Sequence, residues 1–237
     1  MFTLDQVVPW GRSFAEYQQL FALTPADLER RILGCGDGPA AFNAEATRRG
    51  GRVVSCDPLY AFSRTDIETR IAATCDTVLE QTRRHADQFV WGHGIASIDE
   101  LGEVRMRAMR VFLADYDAGR EAGRYVDASL PTLPFADGSF DLVVLMHALT
   151  YAAKPAQAVA EAARVLKRGG RLLLSSLARH EHRAVVEAYG HVNLGFGDKD
   201  LRKFAEKAGL KIASSETVTR ERRPPHFEVI SLIGVKP

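Results

Sequence analysis

Two hydrophobic periods alternate along this chain. Short, nearly unbroken apolar runs, "RIL" at 31–33, "GRVVSCD" at 51–57, "RYVDA" at 124–128, "DLVVLMH" at 141–147 and "RLLLSSL" at 171–177, read as strands, the longer ones buried on both faces. Between them, "PAAFNAEATRRG" at 39–50 and "PAQAVAEAARVLKRGG" at 155–170 repeat apolar residues every three or four positions and end on glycine, as amphipathic helices do. Strands alternating with such helices predict an α/β domain built on a parallel sheet. The tail continues with helical "HRAVVEAYG" and "DKDLRKFAEKAG". Two alternating runs follow, "LKIASSETVT" and "HFEVISLIGVKP", read as an antiparallel pair across the turn-like "RERRPP" at 220–225.

Capping chemistry adds two short helices at the front. Ser13 and Glu16 stand in capping-box spacing ahead of "FAEYQQLF", and Thr24 caps a turn with Pro25 at its first position. Residues 58–123 are too long for a simple connection and read almost wholly as helix, a predicted insert or cap within a single domain spanning 1–237. Ser97 and Glu100 form another box there, after which Leu101, Val104, Ala108, Phe112 and Tyr116 recur at helical spacing. That stripe must pack on the body of the domain, with Met106 and Met109 as filling.

Composition narrows the partners. With 46% hydrophobic residues a substantial core is available, and 31 Lys and Arg against 30 Asp and Glu give no field that would steer nucleic acid or an anionic membrane. No apolar run reaches the roughly 20 residues of a membrane span, and the N-terminus lacks a signal-peptide layout, so a cytoplasmic protein, monomeric or homodimeric, acting on a small molecule is expected. Cys35, Cys56 and Cys75 are odd in number and unevenly spaced, which argues against a disulfide framework.

The chemistry concentrates in "RILGCGDGPAAF", where Gly34, Gly36 and Gly38 follow the first strand and open a helix. Backbone amides at such a turn hold a polar cofactor close, because no side chain keeps it away. A triphosphate loop would need a Gly-Lys-Ser/Thr sequence that is absent, and a dinucleotide site wants a third glycine where Pro39 stands. The second strand ends at Asp57, placed to accept from both hydroxyls of a ribose, and the third at Asp127, placed to meet an adenine amino group beside Ala128.

These motifs together resemble the class I S-adenosylmethionine-dependent methyltransferases. "ILGCGDG" is similar to their first cofactor motif, "VVSCDP" to their second-strand acid, "DASLPTLPFADGSFDLVV" to their adenine and fourth-strand region, and "AVAEAARVLKRGGRLLLSS" to the helix and fifth strand that follow. The second half, through "SSLARHEHRAVVEAYGHVNLGF", is more similar to methyltransferase domains attached to arsenic-repressor-type regulators, whose DNA-binding domain is not seen in this sequence. The resemblance implies a Rossmann-like, doubly wound, mostly parallel seven-stranded sheet with an antiparallel last strand and a helical insert. It implies S-adenosylmethionine as cofactor and S-adenosylhomocysteine as product. Gly34, Cys35, Gly36, Asp37 and Gly38 would line the methionine part, Asp57 and Pro58 the ribose, and Asp127 and Ala128 the adenine. Met146 and His147, ending the fourth strand, would face the methyl group.

Methyl transfer from a sulfonium needs alignment and desolvation more than acid–base machinery, so a missing triad excludes nothing. His147, at the carboxyl end of a central strand, and Tyr151, one turn later, are the catalytic candidates. Arg12 offers a fork for the cofactor carboxylate and Tyr17 a flat surface, if "PWGRSFAEY" forms a lid; the other reading is a packed helix with Arg12 exposed. The His-x-His of His180 and His182, with His191, is read first as a solvated polar loop and second as substrate-loop histidines; a metal site is disfavoured, since alternate residues diverge and no Cys or carboxylate completes it. A non-catalytic protein that keeps the cofactor pocket is the competing expectation.

Overall fold

The computed structural model describes residues 7–84, 97–186, 190–220 and 226–237. The centre of the turn read at 220–225, the end of the helix read at 182–190 and the stretch 85–96 lie outside those residues.

Seven strands form one sheet in the order β3-β2-β1-β4-β5-β7-β6. They are β1 (Arg31–Cys35), β2 (Arg52–Cys56), β3 (Tyr125–Val126), β4 (Phe140–Met146), β5 (Leu166–Leu177), β6 (Lys211–Arg220) and β7 (Glu228–Val235). The first five pair parallel, and β7 runs antiparallel between β5 and β6. The unbroken aliphatic runs explain this placement: Leu142, Val143, Val144 and Leu145 of β4 have no exposed surface, because the sheet is covered on both sides.

Helices α1 (Phe14–Phe21), α2 (Pro25–Leu28) and α3 (Phe42–Arg48) pack on one face through Phe14, Tyr17, Phe21 and Phe42. Both front caps form as their spacing predicts, Ser13 accepting from the Glu16 amide and Thr24 from that of Asp27. On the other face lie α6 (Pro155–Val165) and α8 (Asp198–Lys207), and a short α7 (Arg183–Val186) follows β5 in the chain. The helix expected over 155–170 is shorter than its pattern: it stops at Val165, and Leu166 already pairs with Phe140. Lys236 reinforces that break by donating to the carbonyls of Ala163, Arg164 and Leu166.

Between β2 and β3 run α4 (Arg64–Arg84) and α5 (Ile98–Glu121). The stripe of α5 buries Leu101, Ala108, Phe112 and Tyr116, with Met109, and Met109, Phe112 and Tyr116 cluster with Leu59, Tyr60, Ile67 and Ile71. Arg105, unexpectedly, lies buried in the same face and pairs with Glu16 of α1, whose carboxyl falls to about 2; burial opposes that shift, and the Arg105 charge and hydrogen bond drive it. Arg124 holds Asp115 of α5 through two hydrogen bonds of 2.7 and 2.9 Å, tying the helical segment back to the sheet.

Candidate functional site

The register brings the carboxyl ends of the parallel strands to one edge: Cys35 lies beside Cys56 and Leu145, Cys56 beside Val126, and Met146 beside Ser175. β1 sits between β2 and β4, where the strand order reverses, so the glycine turn stands at the switch point where such sheets place a ligand crevice. Gly36 adopts φ +74°, a left-handed conformation suited to glycine, and stands exposed at the crevice floor.

Asp37 shapes that floor from beneath. Its carboxylate folds back into the protein, accepting from the Tyr17 hydroxyl at 2.8 Å and the Ser55 hydroxyl at 2.6 Å. A Cβ on Gly34 would stand 1.9 Å from the Asp37 carboxylate, so glycine is needed there for close approach. Burial, with the Asp57 charge adding, pushes the Asp37 carboxyl up to about 6 against its two hydrogen bonds. Asp57 accepts from the Gly38 amide at 2.9 Å and the Leu59 amide at 2.8 Å, and the Tyr60 hydroxyl donates to the Gly38 carbonyl at 2.7 Å. Burial and the nearby Asp127 charge raise Asp57 as well.

Four of the expected cofactor contacts change character. Asp37 and Cys35 are buried, so their side chains support the turn from below instead of lining the crevice; the Cys35 thiol lies 3.4 Å from that of Cys56. Tyr17 is fully buried and stacked on Phe42 at 4.4 Å, so the packed-helix reading of the N-terminal segment describes it and the lid-surface reading does not. Met146 is likewise buried, its side chain in the core. Pro58 and Ala128 are half-buried, and Asp127 is exposed at the end of β3. Ser55, Tyr60 and Gly11 are the supports the sequence reading missed. A Cβ on Gly11 would meet the Pro39 carbonyl oxygen at 2.1 Å, and the Arg12 carbonyl accepts from the Ala41 amide, which lays this segment against the glycine turn.

Across β4 the surroundings differ. His147 caps a 3₁₀ turn over Ala148–Tyr151 with φ +52°, strained for a residue with a Cβ, while its amide donates to the carbonyl and hydroxyl of Ser175, both at 3.2 Å. Burial, with the Arg12 charge and His191 adding, lowers its imidazole to about 3, which leaves it neutral and a weak base. Tyr151 is 55% exposed and meets the His191 ring edge-on at 5.5 Å. Arg12 is half-exposed and donates to Glu16 at 3.3 Å. Among the described residues no cluster of three His, Cys, Asp or Glu could hold a metal ion, and no helix is long and apolar enough to cross a membrane.

At the corner formed by Asp37, Asp57 and Asp127, the Asp57 charge adds to the raised Asp37 carboxyl and the Asp127 charge to the raised Asp57 carboxyl, with no cation between them in the hydrogen bonds described. Such a corner repels phosphates and suits a ligand that brings hydroxyl and amino donors and a positive charge. Residues 105–174 match a family model described as a methyltransferase domain. An uncharacterized protein of Methanocaldococcus jannaschii is 29% identical over 147 residues, 62% of this chain and 65% of that protein, so the match spans just under two thirds of that relative. The fold is shared with a SAM-dependent methyltransferase of Thermotoga maritima, at a TM-score of 0.52 and 16% identity over 95% of this chain and 90% of that one. It is shared too with the 1,6-didemethyltoxoflavin-N1-methyltransferase of Burkholderia thailandensis, solved with S-adenosylhomocysteine, at 0.51 and 14% over 94% and 77%. The sheet order and these solved structures give the chain the fold of class I S-adenosylmethionine-dependent methyltransferases, and residues 105–174 are similar to a methyltransferase domain.

Proposed function

We propose that the protein transfers a methyl group from S-adenosylmethionine to a small-molecule acceptor by in-line attack. The observation that carries this reading is the acidic corner beside and beneath an exposed glycine turn at the strand ends, with a neutral histidine at the end of the neighbouring β4. S-adenosylmethionine, when bound, supplies a methyl group already activated on a sulfonium and a neutral thioether leaving group.

The chain's own residues supply position. Backbone groups of Gly34 to Gly38 take the methionine part, Asp57 the ribose hydroxyls, and Asp127 with Ala128 the adenine. Asp57 keeps its geometry through the Gly38 and Leu59 amides, which fix both carboxylate oxygens before any ligand arrives. Arg12, half-exposed and paired with Glu16, would turn part of its guanidinium to a carboxylate at the other end. Neutral His147 can accept or donate one hydrogen bond to the acceptor, and Tyr151 with His191 shields the reacting side from water.

Two measurements test the proposal together. Calorimetry should show S-adenosylhomocysteine binding in preference to NADH, and a metabolite screen with methyl-labelled S-adenosylmethionine should release label to at least one acceptor. Binding without transfer across a broad screen would favour a regulatory binding protein, and preference for NADH would overturn the assignment of the crevice.

A further inference from the structure

Beyond the end of β5 the chain builds a second cleft, of about 400 Å³, lined by Arg179, His180, Glu181, Arg183 and the loop 192–196. That volume lies within the range of small-molecule sites, roughly 300–1,000 Å³. Its floor is an extension of the sheet: Phe196 donates to the Leu177 carbonyl at 3.0 Å, Arg179 to that of Phe196 at 3.2 Å, and His180 to that of Leu194 at 3.0 Å. Gly195 makes this approach feasible, with φ +73° and only 2.2 Å between an added Cβ and the Ala178 carbonyl oxygen.

The cleft is tied to the candidate methyl-transfer side. The amides of Val192 and Asn193 both donate to the Thr150 carbonyl, and the Asn193 side chain donates to the carbonyls of Leu149 at 2.9 Å and Ala152 at 2.8 Å. The same turn carries Tyr151, whose ring touches His191. Whatever occupies the cleft therefore lies alongside the residues proposed to meet the acceptor.

Its polar groups favour an anion. Two guanidiniums stand against the one carboxylate of Glu181, and Arg179 also holds Asp200 at 2.8 Å on its outer side. His180 is half-buried, with Phe227 edge-on at 4.7 Å. Its Nδ1 accepts from the His182 amide, which leaves the proton on Nε2, and that buried nitrogen has no hydrogen-bond partner among the described residues. Burial, with His182 adding, lowers the imidazole, so it stays neutral and presents this N–H donor at neutral pH. Arg183 is exposed at the cleft wall, with its five donors available for a fork-like contact.

We infer that this cleft seats an oxyanionic group of the methyl acceptor, a carboxylate or a phosphate monoester, between Arg183, Arg179 and the Nε2–H of His180. The inference rests on the methyl-transfer reading for the word acceptor, but the anion site itself does not. The bound acceptor would carry its anion at the β5 end and its nucleophile toward His147 and Tyr151.

The test titrates phenyl phosphate, benzoate and neutral benzamide into the protein, with and without S-adenosylhomocysteine, following chemical shifts or heat. One or both anions should bind and benzamide should not. Arg183→Ala and His180→Ala should each weaken the anion by about tenfold, the loss of a charge-assisted or buried hydrogen bond, while the affinity for S-adenosylhomocysteine stays within about twofold. Binding of phenyl phosphate alone assigns a phosphate, and binding of benzoate alone a carboxylate. Anion binding that is absent, matched by benzamide, or unchanged in Arg183→Ala overturns the inference. Failure of S-adenosylhomocysteine to bind speaks only against the cofactor reading, because the anion titration is also made without it.

Discussion

At the glycine turn, Asp37 is held by Tyr17 and Ser55 and Asp57 by the Gly38 and Leu59 amides; across β4, Tyr151 is 55% exposed and Val192 56%. The first region is acidic, buried from below and assembled from short contacts within the fold. The second is open, His147 and His180 are neutral, and its cleft has a cationic excess. A fixed ligand of known chemistry can be met by a prebuilt corner, whereas an acceptor that enters and leaves requires an accessible wall. The contrast explains why the proposed cofactor side can be argued residue by residue and the proposed acceptor side only by chemical class.

Four changes test this contrast, in order of expected effect. Asp57→Ala should lower the affinity for S-adenosylhomocysteine about a hundredfold, since two charge-assisted hydrogen bonds of about 1.5 kcal/mol each are lost; calorimetry measures it, and unchanged affinity would detach the acidic corner from the cofactor. The same affinity in the wild type should fall as the pH is lowered, because the raised Asp57 carboxyl takes up a proton earlier than an ordinary aspartate and loses acceptor strength. Gly34→Ala should destabilise the fold by about 1–3 kcal/mol in urea denaturation, the usual range for overpacking, since the new methyl meets the Asp37 carboxylate.

His147→Asn acts on the other region. Asparagine tolerates the left-handed backbone, so the fold and the affinity for S-adenosylhomocysteine should hold while turnover falls about tenfold with the lost hydrogen bond. Because the imidazole titrates at about 3, the wild-type rate should show no acid limb near 6.5 owing to it; a limb there that disappears in His147→Asn would make it a general base after all.

The smallest and most local change is Asp37→Asn, read as thermal stability against pH. The folded carboxyl titrates at about 6 against an ordinary 3.8, so its contribution is present below 3.8 and is lost as the pH rises through 6. His147 works in the opposite direction: its lowered value makes the folded state lose stability as the pH falls from 6.5 toward 3. Asp37→Asn should therefore leave a profile that rises more steeply with pH between about 4 and 6. An unchanged profile would mean that Tyr17 and Ser55 hold a carboxylate with an ordinary titration.

Much of the fold was legible because it is local. Capping spacing located α1 and α2, and aliphatic runs located β1, β2, β4 and most of β5. The β5 boundary was misread because Leu166 has the spacing of a helix residue, and only its pairing with Phe140 and the reach of Lys236 end the helix. In the site, the glycine turn and Asp57 were visible in the sequence, whereas the inward turn of Asp37 was not. Its partners Tyr17 and Ser55 lie 20 and 18 residues away, beyond any local period.

By itself the sequence determined which strands exist, which turn is free of side chains and where acids end the strands, because backbone propensity and side-chain period act between near neighbours. The tertiary structure alone decided that Asp37 faces inward, that Arg105 locks α5 to α1, that Gly11 lies on Pro39 and that the β5 end opens into a cationic cleft. Each of these joins segments distant along the chain, and burial fixes such contacts only once the sheet has brought its strand ends to one edge.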